Sequence, residues 1–208
     1  MDQTKKRQVP SSLKKILAFD IYLSYAFVTT FEKYVTFKQL KTHYKALEIS
    51  CHGITWMALT LASIWIFNST SLYQMQVNLF IGFIIDIFIT AILKALTRRR
   101  RPAVNDDLFS IGPDKYSFPS GHASRSTFIV YFFLYIWEVP SIFTLSLISW
   151  CVCVCLSRLL MRRHNILDIC AGIGLGIIEA KFINYLYLSQ ETCINLISWI
   201  TSERVDDL

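Results

Sequence analysis

Five apolar runs dominate this chain, at 49–67, 72–96, 120–137, 141–160 and 166–188. Each holds roughly 18–25 residues, and at about 1.5 Å per residue such a helix crosses a ~30 Å hydrocarbon layer. A chain with 53% hydrophobic residues and a mean hydropathy of +0.41 is too apolar for an ordinary soluble protein. An earlier run, 16–31, is apolar but short and carries Asp20. It reads as a sixth span, a re-entrant piece or an interfacial helix. The expected fold is all-α: a polytopic membrane helical bundle of five transmembrane helices plus that N-terminal helix. Three regions are expected: a polar tail and amphipathic helix at 1–45, a transmembrane domain at 46–190, and a C-terminal tail at 191–208. The segment 191–200 reads as a short surface helix.

The first twelve residues are polar and carry Lys5, Lys6 and Arg7. No small-residue cleavage site follows, so no secretory signal peptide is expected. The net charge of +6 sits beside the runs rather than on a soluble basic face, which argues against nucleic acid as a partner. Cys151, Cys153 and Cys155 lie inside an apolar run, where cysteine acts as a small hydrophobe. Asp106, Asp107 and Asp114 match no familiar metal loop and read as solvated loop charges.

Spans alternate in direction, so their ends sort onto two sides. The end of the second run, the start of the third, the end of the fourth and the start of the fifth all fall on one side. There the chain places Lys94, Arg101-Pro102, Pro119-Ser120-Gly121-His122, Ser157-Arg158, His164 and Asp168. The same side carries Lys38, Lys41, Lys45, Arg98, Arg99, Arg100, Lys115, Arg162 and Arg163, whereas 68–71 and 138–140 contain no Lys or Arg. The positive-inside tendency puts this side in the cytosol. Trp137 and Trp199 fit interfacial anchors or core packing equally.

Each stretch has a chemical reading and a plain one. Lys94 and Arg101 are seven residues apart, so a continuing helix presents them on nearly one face, with the helix expected to end at Arg101 before Pro102. Arginine suits bidentate phosphate contact and lysine supplies a compact charge. The plain reading is a basic anchor, which leaves Lys94, inside the apolar run, unexplained. Asp86 is a partner for Lys94 or for another buried cation. Ser120 reads as a helix N-cap, and a helix N-terminus receives anions through free N–H groups. Gly121 lets the backbone approach closely, and His122 falls in the first turn with Arg125 beyond it. The plain reading is an ordinary cap with a surface histidine. His164 and Asp168 are spaced to share a helical face, where the carboxylate fixes the imidazole tautomer and leaves the other nitrogen as a nucleophile. Arg158 is folded back toward His164 by the intervening turn. The plain reading is a polar turn with Arg162 and Arg163 as anchors.

Taken in order, the pattern is lysine, six residues, Arg-Pro; then Pro-Ser-Gly-His; then Ser-Arg, five residues, His, three residues, Asp. It resembles the type 2 phosphatidic acid phosphatase superfamily of integral-membrane lipid phosphate phosphatases, over about 49–188, with every motif position filled. The surroundings, Lys94 to Pro102 and Asp114 to Arg125, resemble the polyisoprenoid and presqualene diphosphate phosphatases. The resemblance implies that His164 attacks phosphorus, Asp168 orients it, and His122 protonates the leaving oxygen and later activates water. Lys94, Arg101, Ser120, Gly121 and Arg158 would hold the phosphate oxygens. It implies no cofactor and no metal, a lipid phosphate substrate, membrane lipids as surroundings, and an endoplasmic reticulum or nuclear envelope location. A homo-oligomer is left open. The alternatives are a phosphatidate or sphingoid-phosphate phosphatase, a catalytically idle membrane scaffold of the same fold, a vanadium-dependent haloperoxidase, which five spans disfavour, and a transporter, whose polar groups would line a midplane path.

Overall fold

The computed structural model describes residues 10–34, 37–102 and 115–201. Among them all regular elements are helical: α1 Ser11–Glu32, α2 Phe37–Ser50, α3 Gly53–Phe67, α4 Thr70–Thr97, α5 Gly121–Tyr131, α6 Thr144–Leu160, α7 Ile166–Leu186 and α8 Gln190–Thr201. The loop carboxylates Asp106, Asp107 and Asp114 lie outside the described residues.

Two helices are long and apolar enough to cross a membrane, Thr70–Thr97 and the stretch Ser141–Leu160 that includes α6. The pair Thr42–Ser50 and Gly53–Phe67 makes a third if counted as one broken span, bent by 53°. The break falls at the non-helical Cys51 and His52, and Gly53 opens α3 against the Arg125 guanidinium, 2.9 Å from where a Cβ would sit. The run 120–137 is not a uniform α-helix either: α5 passes into a π-helical turn at Phe132–Ile136, closed by Trp137 N–H donating to the Phe132 carbonyl at 2.9 Å. Helix α7 carries Asp168, Glu179 and Lys181 along its length. Helix α2 runs across position 45, and α8 begins at Gln190, so the expected tail segment is helical.

The most extensive helix contact is α5 on α7. Its cause is the pair Gly172 and Gly176, one turn apart. A Cβ at either would run into the α5 backbone, at the Ser120 and Ser124 carbonyls. Small residues at this spacing let two helices approach backbone to backbone. The remainder of the bundle pairs α3 with α4, α2 with α6, and α4 with α8, while α1 lies across α6 and α7.

The apolar core follows this packing. Phe83, Phe128 and Phe132 stack through the middle, with the Phe83–Phe128 rings edge-on at 5.7 Å. Val28, Ala123, Leu159 and Ile169 close the end that carries the motifs. Large apolar side chains remain on the outside, among them Trp65, Ile66, Phe88, Ile142, Leu145 and Tyr185. Such a surface needs an apolar solvent. Trp137 is half-buried against Phe133, whereas Trp199 is exposed.

Candidate active site

The three motif stretches meet at one end of the bundle. Helix α4 stops at Thr97, with Arg98 in the left-handed region, so the expected continuation to Arg101 does not occur. From there the chain is extended and pairs with the returning loop. Arg100 bridges Tyr116, and Ser117 N–H donates to the Arg99 carbonyl at 2.8 Å. Thr97 Oγ1 donates to the Phe118 carbonyl at 2.9 Å. These contacts set Pro119-Ser120-Gly121-His122 beside Lys94 and Arg101. Lys94 is buried at the end of α4.

Ser120 caps α5 as expected, accepting from Ala123 N–H at 3.4 Å. Its own N–H donates to the Asp168 carbonyl at 3.0 Å, which ties the starts of α5 and α7 together. A Cβ added at Gly121 would meet nothing nearer than Thr90 at 4.0 Å, so the α5 N-terminus is open on that side. The Arg158 carbonyl accepts from Arg163 and His164 N–H groups at 3.1 and 3.3 Å, folding the turn back over the arginine.

His164 is buried, and its Nδ1 lies 2.8 Å from the Ser117 carbonyl. A carbonyl only accepts, so Nδ1 carries the proton and Nε2 keeps its lone pair. Burial pushes the His164 pKa well below the ordinary imidazole range; Arg101, Arg158 and Lys94 push the same way. The imidazole is therefore neutral near pH 7. Asp168 is 3.9 Å from His164 Nδ1, beyond hydrogen-bond reach. Its carboxylate instead forms a capping box with Asn165, accepting from Asn165 N–H at 2.9 Å, and accepts from Arg99 at 2.7 Å. In this structure the Ser117 carbonyl sets the tautomer.

His122 Nε2 lies 3.2 Å from the Glu48 carbonyl, so this nitrogen carries a proton. His122 is also within electrostatic reach of Arg158 and His164. Asp86 pairs with Arg125 at 2.6 Å rather than with Lys94, and Arg125 also donates to the Cys51 carbonyl at 3.1 Å. This pair holds the α2–α3 junction, α4 and α5 together.

Five contributors escape a motif reading. Arg99 joins Asp168 to Asp20 of α1, the latter contact being 2.5 Å. Asp20 also accepts from Leu167 N–H, and Ser24 Oγ from Ile166 N–H, both at 2.9 Å. The first N–H groups of α7 have no partners within their own helix, and α1 supplies them. Glu48 of α2 binds Arg158, both guanidinium nitrogens lying 2.9 Å from Oε1. The Ser117 carbonyl is the fifth. Asp20 and Glu48 leave one trace in sequence: each is a carboxylate in or at the edge of an apolar run, which needs a polar reason to be there.

A cavity of about 240 Å³ opens beside His164, between α1 and the α6–α7 turn. Ile21, Tyr25, Val28, Leu159 and Pro102 give it apolar walls. Ser24, Arg162, His164 and Asn165 supply its polar lining.

The chain is 33% identical to probable lipid phosphate phosphatase beta of Arabidopsis thaliana, over 55% of its own length and 66% of that protein. It is 43% and 46% identical to sphingosine-1-phosphate phosphatase 1 of Rattus norvegicus and Mus musculus, over 28% of this chain but only 15% of each relative. No solved structure matches significantly. The PAP2 superfamily profile matches residues 75–191, more than half of the chain, and the chain belongs to that superfamily.

Proposed function

We propose that this protein is an integral-membrane lipid phosphatase acting through a phosphohistidine, without a metal. The observation that carries the reading is His164: neutral, Nδ1–H held by the Ser117 carbonyl, and within electrostatic reach of Arg101, Arg158 and Lys94. Its Nε2 lone pair attacks phosphorus as the P–O bond to the lipid breaks. The leaving oxygen takes a proton from His122, which the bound phosphate dianion holds as imidazolium. Water then gives a proton to His122 and attacks phosphorus, the N–P bond breaks, and inorganic phosphate leaves. Lys94, Arg101, Arg158, Ser120 and the Gly121 N–H stabilise the equatorial oxygens. Asp168 holds the start of α7 through Asn165 and Arg99 rather than by direct contact with the imidazole.

The chain spans 66% of its plant relative and 15% of the mammalian ones, whose names speak of lipid and sphingoid phosphates. Those names favour a lipid monophosphate, of the phosphatidate or sphingoid kind, over the isoprenoid diphosphates suggested by the residues around Lys94 and Ser120. The membrane reading places α3 to α7 as five crossings with the site on the cytosolic side. The outward apolar side chains of α3, α4, α6 and α7 support their crossings, and the Lys/Arg excess at the site end supports the side.

The test is phosphate release by the detergent-purified chain in EDTA, from phosphatidate, sphingosine 1-phosphate, farnesyl diphosphate and presqualene diphosphate. Release from at least one lipid, lost in His164→Ala, is expected. Loss of all activity in EDTA, or none from any lipid, would sink the reading.

A further inference from the structure

One residue touches both working ends of the site. Glu48 presents its carboxylate to Arg158 and its backbone carbonyl to His122 Nε2, at 2.9 and 3.2 Å. It is 5% exposed, and Arg158 is 1% exposed. An incoming phosphate ester needs these same two contacts: a phosphate oxygen on the guanidinium, and the bridging oxygen at His122. Glu48 therefore occupies the site as a substrate would.

We infer that Glu48 is a built-in competitor for the phosphate group, which the substrate must displace from Arg158 and His122. The inference rests on the phosphatase reading of the site. Three observations support it. Among the described residues, Glu48 is the carboxylate that pairs with Arg158, so it compensates a buried guanidinium until substrate arrives. A phosphate dianion would compensate it instead, and two anions on one guanidinium repel each other. Finally, α2 ends at a break in the helix, past which Cys51 is held by Arg125 and the His122 carbonyl, so withdrawal begins at Glu48 and the last turn of α2. Helix α2 packs mainly on α6 and joins α3 through the non-helical Cys51 and His52, at the 53° bend. Lys45 lies one turn back on α2, 3.2 Å from Glu48 Oε2, and gives the withdrawn carboxylate a partner nearer the water.

The competition makes Glu48 a determinant of affinity. It favours ligands that engage Arg158 and His122 together over small anions that engage Arg158 alone. A tether between α2 and α6 that stayed closed through turnover would have the opposite signature, because losing it would misplace Arg158.

The experiment is calorimetric titration of inorganic phosphate into the detergent-purified full chain, as wild type, Glu48→Gln and Arg158→Gln. Glu48→Gln keeps the backbone carbonyl and the side-chain volume. It should bind phosphate about tenfold more tightly, the order expected when a close like charge leaves a buried anion site. Arg158→Gln should bind more weakly than wild type. Unchanged or weaker binding by Glu48→Gln would overturn the inference while leaving the phosphate site standing. No binding by any form, wild type included, would overturn the site and the inference together. Hydrogen exchange on the wild type covers the case in which Glu48→Gln does not fold. Saturating phosphate should speed exchange in the peptide covering α2, and slower or unchanged exchange there would refute displacement.

Discussion

Replacing Asp20 tests whether α1 is part of the catalytic apparatus or merely lies against it. In Asp20→Ala, two donors lose their acceptor, Leu167 N–H at the start of α7 and one Arg99 nitrogen. A lost helix cap costs about 0.5–2 kcal/mol. A lost hydrogen bond to a charged group costs about 1.5–3 kcal/mol. Arg99 keeps Asp168, so the guanidinium is not orphaned, and a total of about 3 kcal/mol is expected. For a chain of this size that is roughly 6–12 °C in Tm. Asp20→Asn keeps an oxygen for Leu167 N–H and loses only the charge, so its cost should be about half as large. Activity should fall further than stability suggests. His164 immediately precedes α7, and a displacement of about 1 Å in a reacting group costs up to about 100-fold. The assay pairs thermal melts with phosphate release, and adds a cycle of Asp20→Asn, Arg99→Gln and the double variant. Coupling of about 1–3 kcal/mol is expected from the cycle. Wild-type Tm and activity in Asp20→Ala, or zero coupling, would refute a positioning role for α1.

Other outcomes follow from the same geometry. Gly172→Ala should separate α5 from α7 and lower Tm, whereas Gly174→Ala, with open space at its Cβ, should melt close to wild type; equal Tm values would dismiss the close approach as the cause. The His164 pKa is depressed by burial and by neighbouring cations, so below about pH 6.5 the unfolded chain binds a proton that the folded chain refuses. Stability should therefore decline as pH falls through that range, and His164→Gln should flatten the decline; an identical slope in the variant would contradict the assignment. If His164 is the nucleophile we propose, the same depression keeps it deprotonated, and the rate of phosphoenzyme formation should not titrate with a nucleophile pKa at or above 6.5. Arg158→Lys preserves charge but loses the two-nitrogen contact, and should cut phosphate release by about tenfold or more.

The motif residues were readable because their chemistry contradicts their surroundings. A lysine, two histidines and a carboxylate at the ends of apolar runs need an explanation, and counting runs already gathered them to one side. The Ser120 cap followed from local rules alone. The turn before Arg101 did not. A helix reading carries Lys94 and Arg101 onto one face, whereas the returning 116–118 segment pulls 99–101 into an extended pairing that no local propensity encodes. Asp168 shows the same limit: its spacing from His164 is right for contact, but its position as third residue of α7 commits it to the Asn165 cap. Arg99 was hidden inside a basic cluster that reads as an anchor. The Gly172–Gly176 pair was visible as a small-residue spacing, yet only the packed structure says which helix it meets. Periodicity also could not place the break at Cys51–His52 or the π-helical turn at Phe132–Ile136, since neither changes the composition of its apolar run.

The ion pairs that α1 and α2 contribute have a consequence for how the site can be divided. The segment recognisable by family, 75–191, contains Lys94, Arg101, Ser120, His122, Arg158, His164 and Asp168. It lacks Asp20 and Glu48. Cut free, it would hold every reacting group yet lose the carboxylate on Arg158 and half the anchorage of Arg99. Reactivity and its restraint are thus written in separate parts of the chain. On the mechanism proposed above, exchanging the first fifty residues between relatives would retune the site without altering one atom that bonds to phosphorus.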